Sequence, residues 1–159
     1  MTLRNSGADM PGIQDLKQDA FLASQKAEPS FSTILYIEDN SANLDLVGRI
    51  IARRVDLRLL TAINGHLGIQ MARAELPDMI LMDINLPDIN GFDALKILRE
   101  DTATAHIPVL ALSSNAYPCD VEKGIKAGFF QYLTKPYKLD EFMVSLDETL
   151  RFAATAENK

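Results

Sequence analysis

Residues 79–83 read Met79-Ile80-Leu81-Met82-Asp83, an unbroken apolar run that ends in an acidic residue. Residues 34–37 (Ile-Leu-Tyr-Ile) and residues 109–112 (Val-Leu-Ala-Leu) form two similar runs. A strand that is covered on both faces does not need to alternate apolar with polar residues, and central strands of parallel sheets are covered in this way. The three runs are therefore predicted to be the central strands of a parallel sheet.

Two weaker runs complete the set of predicted strands. Residues 57–62 and 129–133 are interrupted by Arg58 and Gln131, which suits edge strands whose flanks meet water. Longer stretches with apolar residues at helical spacing separate the runs. The predicted fold is α/β, a flavodoxin-like, doubly wound, five-stranded parallel sheet of order 2-1-3-4-5 with helices on both faces. The winding reverses between the first and third strands, so a functional site is expected where these two strands end.

The composition is that of an ordinary globular protein. The chain has 159 residues, 47% hydrophobic and 24% charged, which suits one well-packed domain. Its 16 basic and 22 acidic residues give a net charge of −6, the wrong sign for binding nucleic acid. No stretch approaches the roughly 18 apolar residues of a membrane span. We therefore expect a cytoplasmic protein without nucleic-acid or membrane partners.

The ends of the chain differ in texture from its body. Residues 1–32 are punctuated by glycine, proline and serine, and they are expected to form an N-terminal extension. Ile13 and Leu16 begin a pattern of helical spacing there, which leaves open one docked helix or a disordered tail. Residues 33–150 are expected to form one domain, and residues 151–159 a tail too short for an output domain.

Chemically active side chains follow the predicted strands. The residues are Glu38 and Asp39 after the first strand, Asp83 after the third, Ser113 after the fourth and Lys135 after the fifth. The carboxyl ends of parallel strands meet at one edge of a sheet, so these side chains are expected to lie together. Carboxylates held that close repel one another and favour a cation between them. The set of oxygens suits Mg²⁺ better than Ca²⁺.

Such a set of groups suits a site that holds a phosphoryl group on an aspartate. The metal ion and the Lys135 ammonium would neutralise charge on the transferring oxygens, while the protein mainly positions the reactants. Asp83 is the carboxylate best placed to act as the nucleophile.

Four segments carry a family resemblance. They are residues 34–40 (Ile-Leu-Tyr-Ile-Glu-Asp-Asn), 81–91 (Leu-Met-Asp-Ile-Asn-Leu-Pro-Asp-Ile-Asn-Gly), 111–116 (Ala-Leu-Ser-Ser-Asn-Ala) and 132–137 (Tyr-Leu-Thr-Lys-Pro-Tyr). In this order and spacing they resemble the receiver domain of the two-component response-regulator family. The motifs are also similar to those of receivers in hybrid sensor kinases, although a stand-alone receiver is expected here.

The resemblance implies a metal site and a phosphoacceptor. Asp83 matches the phosphoacceptor of the family, and Asp39 matches the residue that binds Mg²⁺ directly. Glu38 is implied to act nearby, through water, and Asn85 to offer its backbone carbonyl to the metal ion. Asn85 and Asn115 also occupy positions that influence hydrolysis of the phosphoryl group in this family.

The resemblance further implies a switch. Ser113 matches the switch hydroxyl, and Lys135 matches the lysine that pairs with the phosphoryl group. Tyr132 matches the aromatic residue that packs inward when the switch hydroxyl shifts. The peptide bond between Lys135 and Pro136 is expected to be cis.

The expected function is that of a single-domain response regulator, a phosphoacceptor and not an enzyme. A sensor histidine kinase or a histidine phosphotransfer protein would be the phosphohistidine donor. The fourth helix, roughly residues 118–127, contains Gly124, which suggests either a moving part or merely close packing. The surface made by this helix, the fifth strand and the fifth helix is expected to contact a partner or a second copy as a homodimer.

Alternatives from other classes remain. A phosphatase with an aspartyl-phosphate intermediate generally has a second aspartate two residues after its nucleophile, where this chain has Asn85. A scaffold that keeps the fold but ignores phosphorylation is disfavoured, because every chemical position is filled. A P-loop enzyme is excluded, because the chain lacks the glycine-rich motif followed by lysine.

Overall fold

The computed structural model describes residues 30–114 and 117–157, in which strands and helices alternate along the chain. The strands are β1 (Ser32–Ile37), β2 (Leu57–Ala62), β3 (Met79–Asp83), β4 (Val109–Ser113) and β5 (Gln131–Thr134). The helices are α1 (Ser41–Ile51), α2 (Gly65–Glu75), α3 (Gly91–Glu100), α4 (Pro118–Ala127) and α5 (Leu139–Glu157). The expected helix of the N-terminal extension and Asn115 lie outside the described residues.

The sheet has the predicted topology. Its order is β2-β1-β3-β4-β5, and all four pairs of neighbouring strands are parallel. β3 and β4 are buried along their whole length, whereas β2 is interrupted by exposed positions and β5 is half-buried throughout. The prediction that the interrupted runs form the edges is therefore confirmed.

The helices cover both faces of the sheet, because each strand sends alternate side chains to opposite sides. On one face, the core joins the strands to α2 and α3; its helical members include Ile69, Ala72, Ala94, Leu95 and Leu98. On the other face, the core joins the strands to α1 and α5; its helical members include Val47, Ile51, Phe142 and Leu146. Within residues 30–114 and 117–157, none of the helices has both the length and the hydropathy of a membrane span.

Asparagine side chains start the first three helices. The side chains of Asn40, Asn64 and Asn90 accept hydrogen bonds from backbone N–H groups in the first turns of α1, α2 and α3. These bonds satisfy donors that have no partner within the helix. Each capping residue follows a strand or its loop, so the caps fix where each chain segment turns back from the carboxyl edge of the sheet.

The fifth strand begins later than the predicted run. β5 starts at Gln131 rather than at Phe129. Gly128 ends α4 in the left-handed conformation, with φ of 112°, and the Phe129 N–H donates to the carbonyl of Gly124. Phe129 therefore belongs to the cap of α4, where its buried ring contacts the ring of Phe92.

The described elements extend slightly beyond residues 33–150 at both ends. The compact unit that contains the sheet begins at Phe31. The last helix continues to Glu157, so the expected tail, residues 151–159, is helical up to that position. The last turns of the helix still make apolar contacts, because the ring centroids of Phe152 and Phe130 are 4.7 Å apart.

Candidate functional site

Three carboxylates meet at the carboxyl edge of the sheet. Ile37 of β1 lies opposite Met82 of β3, so Glu38 and Asp83 reach the same level of the sheet. One carboxylate oxygen from each of Glu38, Asp39 and Asp83 lies within 4.8 Å of the other two. Glu38 and Asp83 are buried, whereas Asp39 is exposed. The structure thus brings together the three acidic residues that the sequence placed at one edge.

Lys135 follows β5, so it reaches this cluster from the side of β3 opposite to β1. Its Nζ lies 3.2 Å from Glu38 Oε2 and 3.7 Å from Asp83 Oδ2. The backbone N–H of Lys135 donates to the carbonyl of Ser113 at 2.6 Å, which continues the pairing of β4 with β5. The peptide bond to Pro136 is cis, as the family resemblance implied. The ammonium group is therefore held beside two of the three carboxylates.

Both oxygens of Glu38 are engaged by the protein. Oε2 accepts hydrogen bonds from the hydroxyl of Tyr36 at 3.1 Å and from Nζ of Lys135. Oε1 accepts from the backbone N–H of Asn40 at 3.2 Å and from the side-chain amide of Asn43 at 3.3 Å. Each oxygen thus has two donors, which fixes the orientation of the carboxylate. Asp39 and Asp83 are the acidic side chains better placed to bind an ion directly.

The charge of Asp83 is destabilised by its surroundings. Burial and the neighbouring charge of Glu38 raise the pKa of Asp83, and they outweigh the opposing effects of Lys135 and the backbone N–H of Asn85. That N–H donates to Asp83 Oδ1 at 3.2 Å. A positive ion between the carboxylates would relieve this repulsion, so the donor set fits a divalent cation that prefers oxygen.

The two expected switch residues share one face of the sheet. Ser113 is fully buried at the end of β4. Tyr132 pairs with Ala111, two residues before Ser113, so the side chains of Ser113 and Tyr132 point to the same side. On that side the Tyr132 ring packs against Gly124 of α4, where a Cβ would lie 2.8 Å from Tyr132 Cε2. Gly124 therefore serves close packing in this structure.

The sequence reasoning did not identify two of the residues that hold Glu38. Tyr36 lies inside an apolar run, which predicts a strand residue, and it also lies two positions before Glu38 on the same side of the strand. That spacing is the signal that could have found it. Asn43 is harder to predict, because its contact depends on how α1 packs over the end of β1.

Comparison with known proteins gives consistent matches. The sequence model of the response regulator receiver domain family matches residues 34–147 of this chain. The polar-differentiation response regulator DivK of Brucella anthropi is 31% identical over 118 residues, which cover 74% of this chain and 95% of DivK. Histidine kinase P4 of Formosa agariphila is 29% identical over 123 residues, or 77% of this chain but 9% of that kinase.

A solved structure agrees with these matches. The receiver domain of the sensor histidine kinase PA1611 from Pseudomonas aeruginosa, which has a magnesium ion coordinated in its active-site cleft, has a TM-score of 0.68 to this chain. The two are 30% identical, and the comparison covers 76% of this chain and 98% of the other. The family match includes the acidic cluster and Lys135. The chain belongs to the response regulator receiver domain family.

Proposed function

We propose that this chain accepts a phosphoryl group on Asp83 from a phosphohistidine donor, with the help of Mg²⁺, and signals through phosphorylation-dependent protein contact. One observation carries this proposal. Oxygens of Glu38, Asp39 and Asp83 lie within 4.8 Å of one another, and Nζ of Lys135 lies 3.2 Å and 3.7 Å from the two buried carboxylates. Charged groups so arranged suit the stabilisation of a transferring phosphoryl group.

Four residues would hold the magnesium ion. The side chains of Asp39 and Asp83 and the backbone carbonyl of Asn85 would bind it directly, and Glu38 would act through water. When bound, the ion withdraws charge from the phosphoryl oxygens. The magnesium ion in the receiver domain of PA1611 supports this assignment for a related protein.

The other groups assist transfer to Asp83. An oxygen of Asp83 forms the new bond to phosphorus, while the bond from phosphorus to the histidine nitrogen breaks and that nitrogen keeps the electron pair. The Lys135 ammonium would pair with a phosphoryl oxygen, and the Ser113 hydroxyl would donate to another. Lys135 already lies within 3.7 Å of Asp83 Oδ2, so it needs little movement.

The signal would leave through α4, β5 and α5. A change at Ser113 would bias the position of Tyr132, which lies on the same face and packs against α4. This surface would then contact a downstream partner or a second copy of the chain. Light scattering before and after phosphoryl loading tests this part, and an unchanged mass together with unchanged partner affinity would contradict it.

The donor would be a sensor histidine kinase or a histidine phosphotransfer protein. Two related proteins support a place in such a system, since one is a response regulator and the other a histidine kinase. This class of donor is tested by incubating the chain with a phosphorylated histidine protein. The phosphoryl group should pass to the wild type and not to Asp83→Asn.

The acceptor is tested by intact-mass analysis after incubation with acetyl phosphate and Mg²⁺. The wild type is expected to gain one phosphoryl group and Asp83→Asn none. Asp45→Asn is the matched control, because Asp45 is an exposed aspartate of α1, and it should behave as the wild type. A phosphoryl group on Asp83→Asn would contradict the assignment.

A separate assay distinguishes a phosphoacceptor from a phosphatase. With a generic phosphomonoester in excess, a phosphoacceptor gains at most one phosphoryl group per chain and releases one equivalent of the alcohol. Sustained turnover that depends on Asp83 would instead favour the aspartyl-phosphate phosphatase.

A further inference from the structure

The loop between β3 and α3, residues 84–90, carries Asn85 past the acidic cluster. At its base, the Gly91 N–H donates to the carbonyl of Ile84 at 2.8 Å, and the Asn85 N–H donates to Asp83 Oδ1 at 3.2 Å. Asn85 itself is exposed. The direction of its carbonyl therefore depends on how the rest of the loop is held.

Asp88 attaches this loop to a different element. Its Oδ1 accepts from the backbone N–H of Gly65 and its Oδ2 from that of His66, both at 2.8 Å. These N–H groups open α2, where they have no acceptor within the helix. Burial alone would raise the pKa of Asp88, but the backbone donors of His66 and Gly65 prevail and lower it to about 2. The carboxylate is thus held by two charge-assisted hydrogen bonds.

Apolar packing fixes the same contact. A Cβ on Gly65 would lie 2.6 Å from Cγ1 of Ile89 and 3.3 Å from Oδ1 of Asp88. Glycine at position 65 is what lets the loop approach the helix this closely. Loop and helix therefore meet through one polar and one apolar contact side by side.

We propose that Asp88 is a positioning residue, which fixes the loop on α2 and so holds in place the Asn85 peptide, whose carbonyl is the proposed ligand of the cation beside Asp83. This inference rests on the proposed function, because it concerns the same site. Without the two bonds, the loop would keep its attachment at Ile84 and Gly91 and the apolar contact of Ile89 with Gly65, but it would lose its polar attachment to α2. The Asn85 peptide lies between these attachments and would sample other orientations.

The chain offers a matched control for the stability of α2. The side chain of Asn64 caps the same helix by accepting from the N–H of Leu67 at 2.8 Å. Asn64→Ala and Asp88→Ala both remove acceptors from the start of α2, but only Asp88 belongs to the loop that carries Asn85. Asp88→Asn retains one acceptor oxygen and is expected to keep one of the two bonds.

The test uses the full chain, with Mg²⁺ binding measured by calorimetry and the rate of modification by acetyl phosphate measured by intact mass. Asp88→Ala is expected to weaken Mg²⁺ binding about tenfold or more, as is usual when a residue that orients a metal ligand is removed. Its modification should slow in parallel. Asp88→Asn should be intermediate, and Asn64→Ala should bind Mg²⁺ as the wild type does.

Either of two results would overturn the inference: Mg²⁺ affinity unchanged in Asp88→Ala, or affinity reduced equally in Asn64→Ala. If Asp88→Ala does not fold, Asp88→Asn decides the question, since wild-type Mg²⁺ affinity in that variant also contradicts the inference. Failure of the proposed function looks different. In that case the wild type itself gains no phosphoryl group on Asp83, whatever its affinity for Mg²⁺.

Discussion

Glu38 is a fully buried carboxylate that the protein surrounds with hydrogen-bond donors. Tyr36 contributes the donor that lies deepest, since its own side chain is also fully buried. Burial and the charge of Glu38 raise the pKa of Tyr36, so its hydroxyl stays protonated and remains a donor. A buried charge without its donors is costly. The shape of the acidic cluster thus depends on a tyrosine of the core.

Tyr36→Phe is expected to reduce the free energy of unfolding by about 1–3 kcal/mol, because the ring keeps its packing while a buried carboxylate loses a donor. Urea denaturation measures the loss. Tyr137→Phe is the control, because the half-buried Tyr137 stacks its ring on Phe142 at 5.3 Å, a contact that does not need the hydroxyl. An equal loss in the two variants would contradict a special role for the bond to Glu38.

At this scale, the sequence identified residues that end strands but not those that support them. Asp83 and Lys135 follow apolar runs, so their position at one edge of the sheet follows from the strand pattern alone. Asn43 reaches Glu38 from the first turn of α1, and Asp88 accepts hydrogen bonds from the first N–H groups of α2. Such contacts depend on packing geometry, which no local pattern encodes.

Among the elements, α4 packs closely on its neighbour in the sheet, β5. Gly124 is the one buried residue of this helix, and the Tyr132 ring of β5 fills the space beside it. The bounds of α4 agree with the predicted residues 118–127, since Pro118 and Gly128 are strong local signals. The predicted start of β5 at Phe129 was wrong. Phe129 and Phe130 are residues typical of a strand, but Phe129 belongs to the cap of α4 and β5 begins at Gln131.

Gly124→Ala is expected to displace the Tyr132 ring, since the new Cβ would lie well inside van der Waals contact of that ring. Alanine favours a helix over glycine by about 1 kcal/mol, and this gain should be lost to the clash. Ring resonances of Tyr132 in NMR spectra report the displacement, and urea denaturation reports the stability.

Gly48→Ala is the matched control for this variant. Gly48 lies in α1, and nothing lies within 4 Å of a Cβ built there. We expect this variant to gain about 1 kcal/mol of stability and to leave the Tyr132 resonances in place. Unshifted Tyr132 resonances in Gly124→Ala would show that α4 can accept a side chain without moving the tyrosine.

The whole molecule places its chemistry by strand order. β1 and β3 are neighbours although β2 lies between them in sequence, and this crossover brings Glu38 and Asp83 together. Continuous and interrupted apolar runs distinguish central from edge strands, and the doubly wound fold that fits this pattern has the observed order. The extent of α5 could not be predicted, since its last turns depend on the contact between Phe152 and Phe130.

Mg²⁺ is expected to raise the thermal stability of the unmodified wild type, because a ligand that binds only the folded chain stabilises it. The gain is about 2.7 kcal/mol at one hundred times the dissociation constant. Asp83→Asn should show a much smaller gain. In metal-free buffer near neutral pH, Asp83→Asn should be more stable than the wild type, since burial and the charge of Glu38 disfavour the ionised form of Asp83 and raise its pKa.

Thermal denaturation with MgCl₂ and with a chelator measures both effects. Asp45→Asn serves again as the surface control and should respond to Mg²⁺ as the wild type does. An equal response of Asp83→Asn and the wild type would place the binding of Mg²⁺ elsewhere on the molecule.

The ion pair between Glu38 and Lys135 crosses two strands of the sheet, because it joins residues that follow β1 and β5 while β3 and β4 lie between them. β5 is an edge strand of four residues, half-buried along its length. This long-range ion pair therefore stabilises β5, the half-buried edge strand next to β4. Any reaction at Asp83 that draws the Lys135 ammonium away from Glu38 breaks this ion pair. The stability of the edge strand β5 is therefore coupled to the chemical state of Asp83.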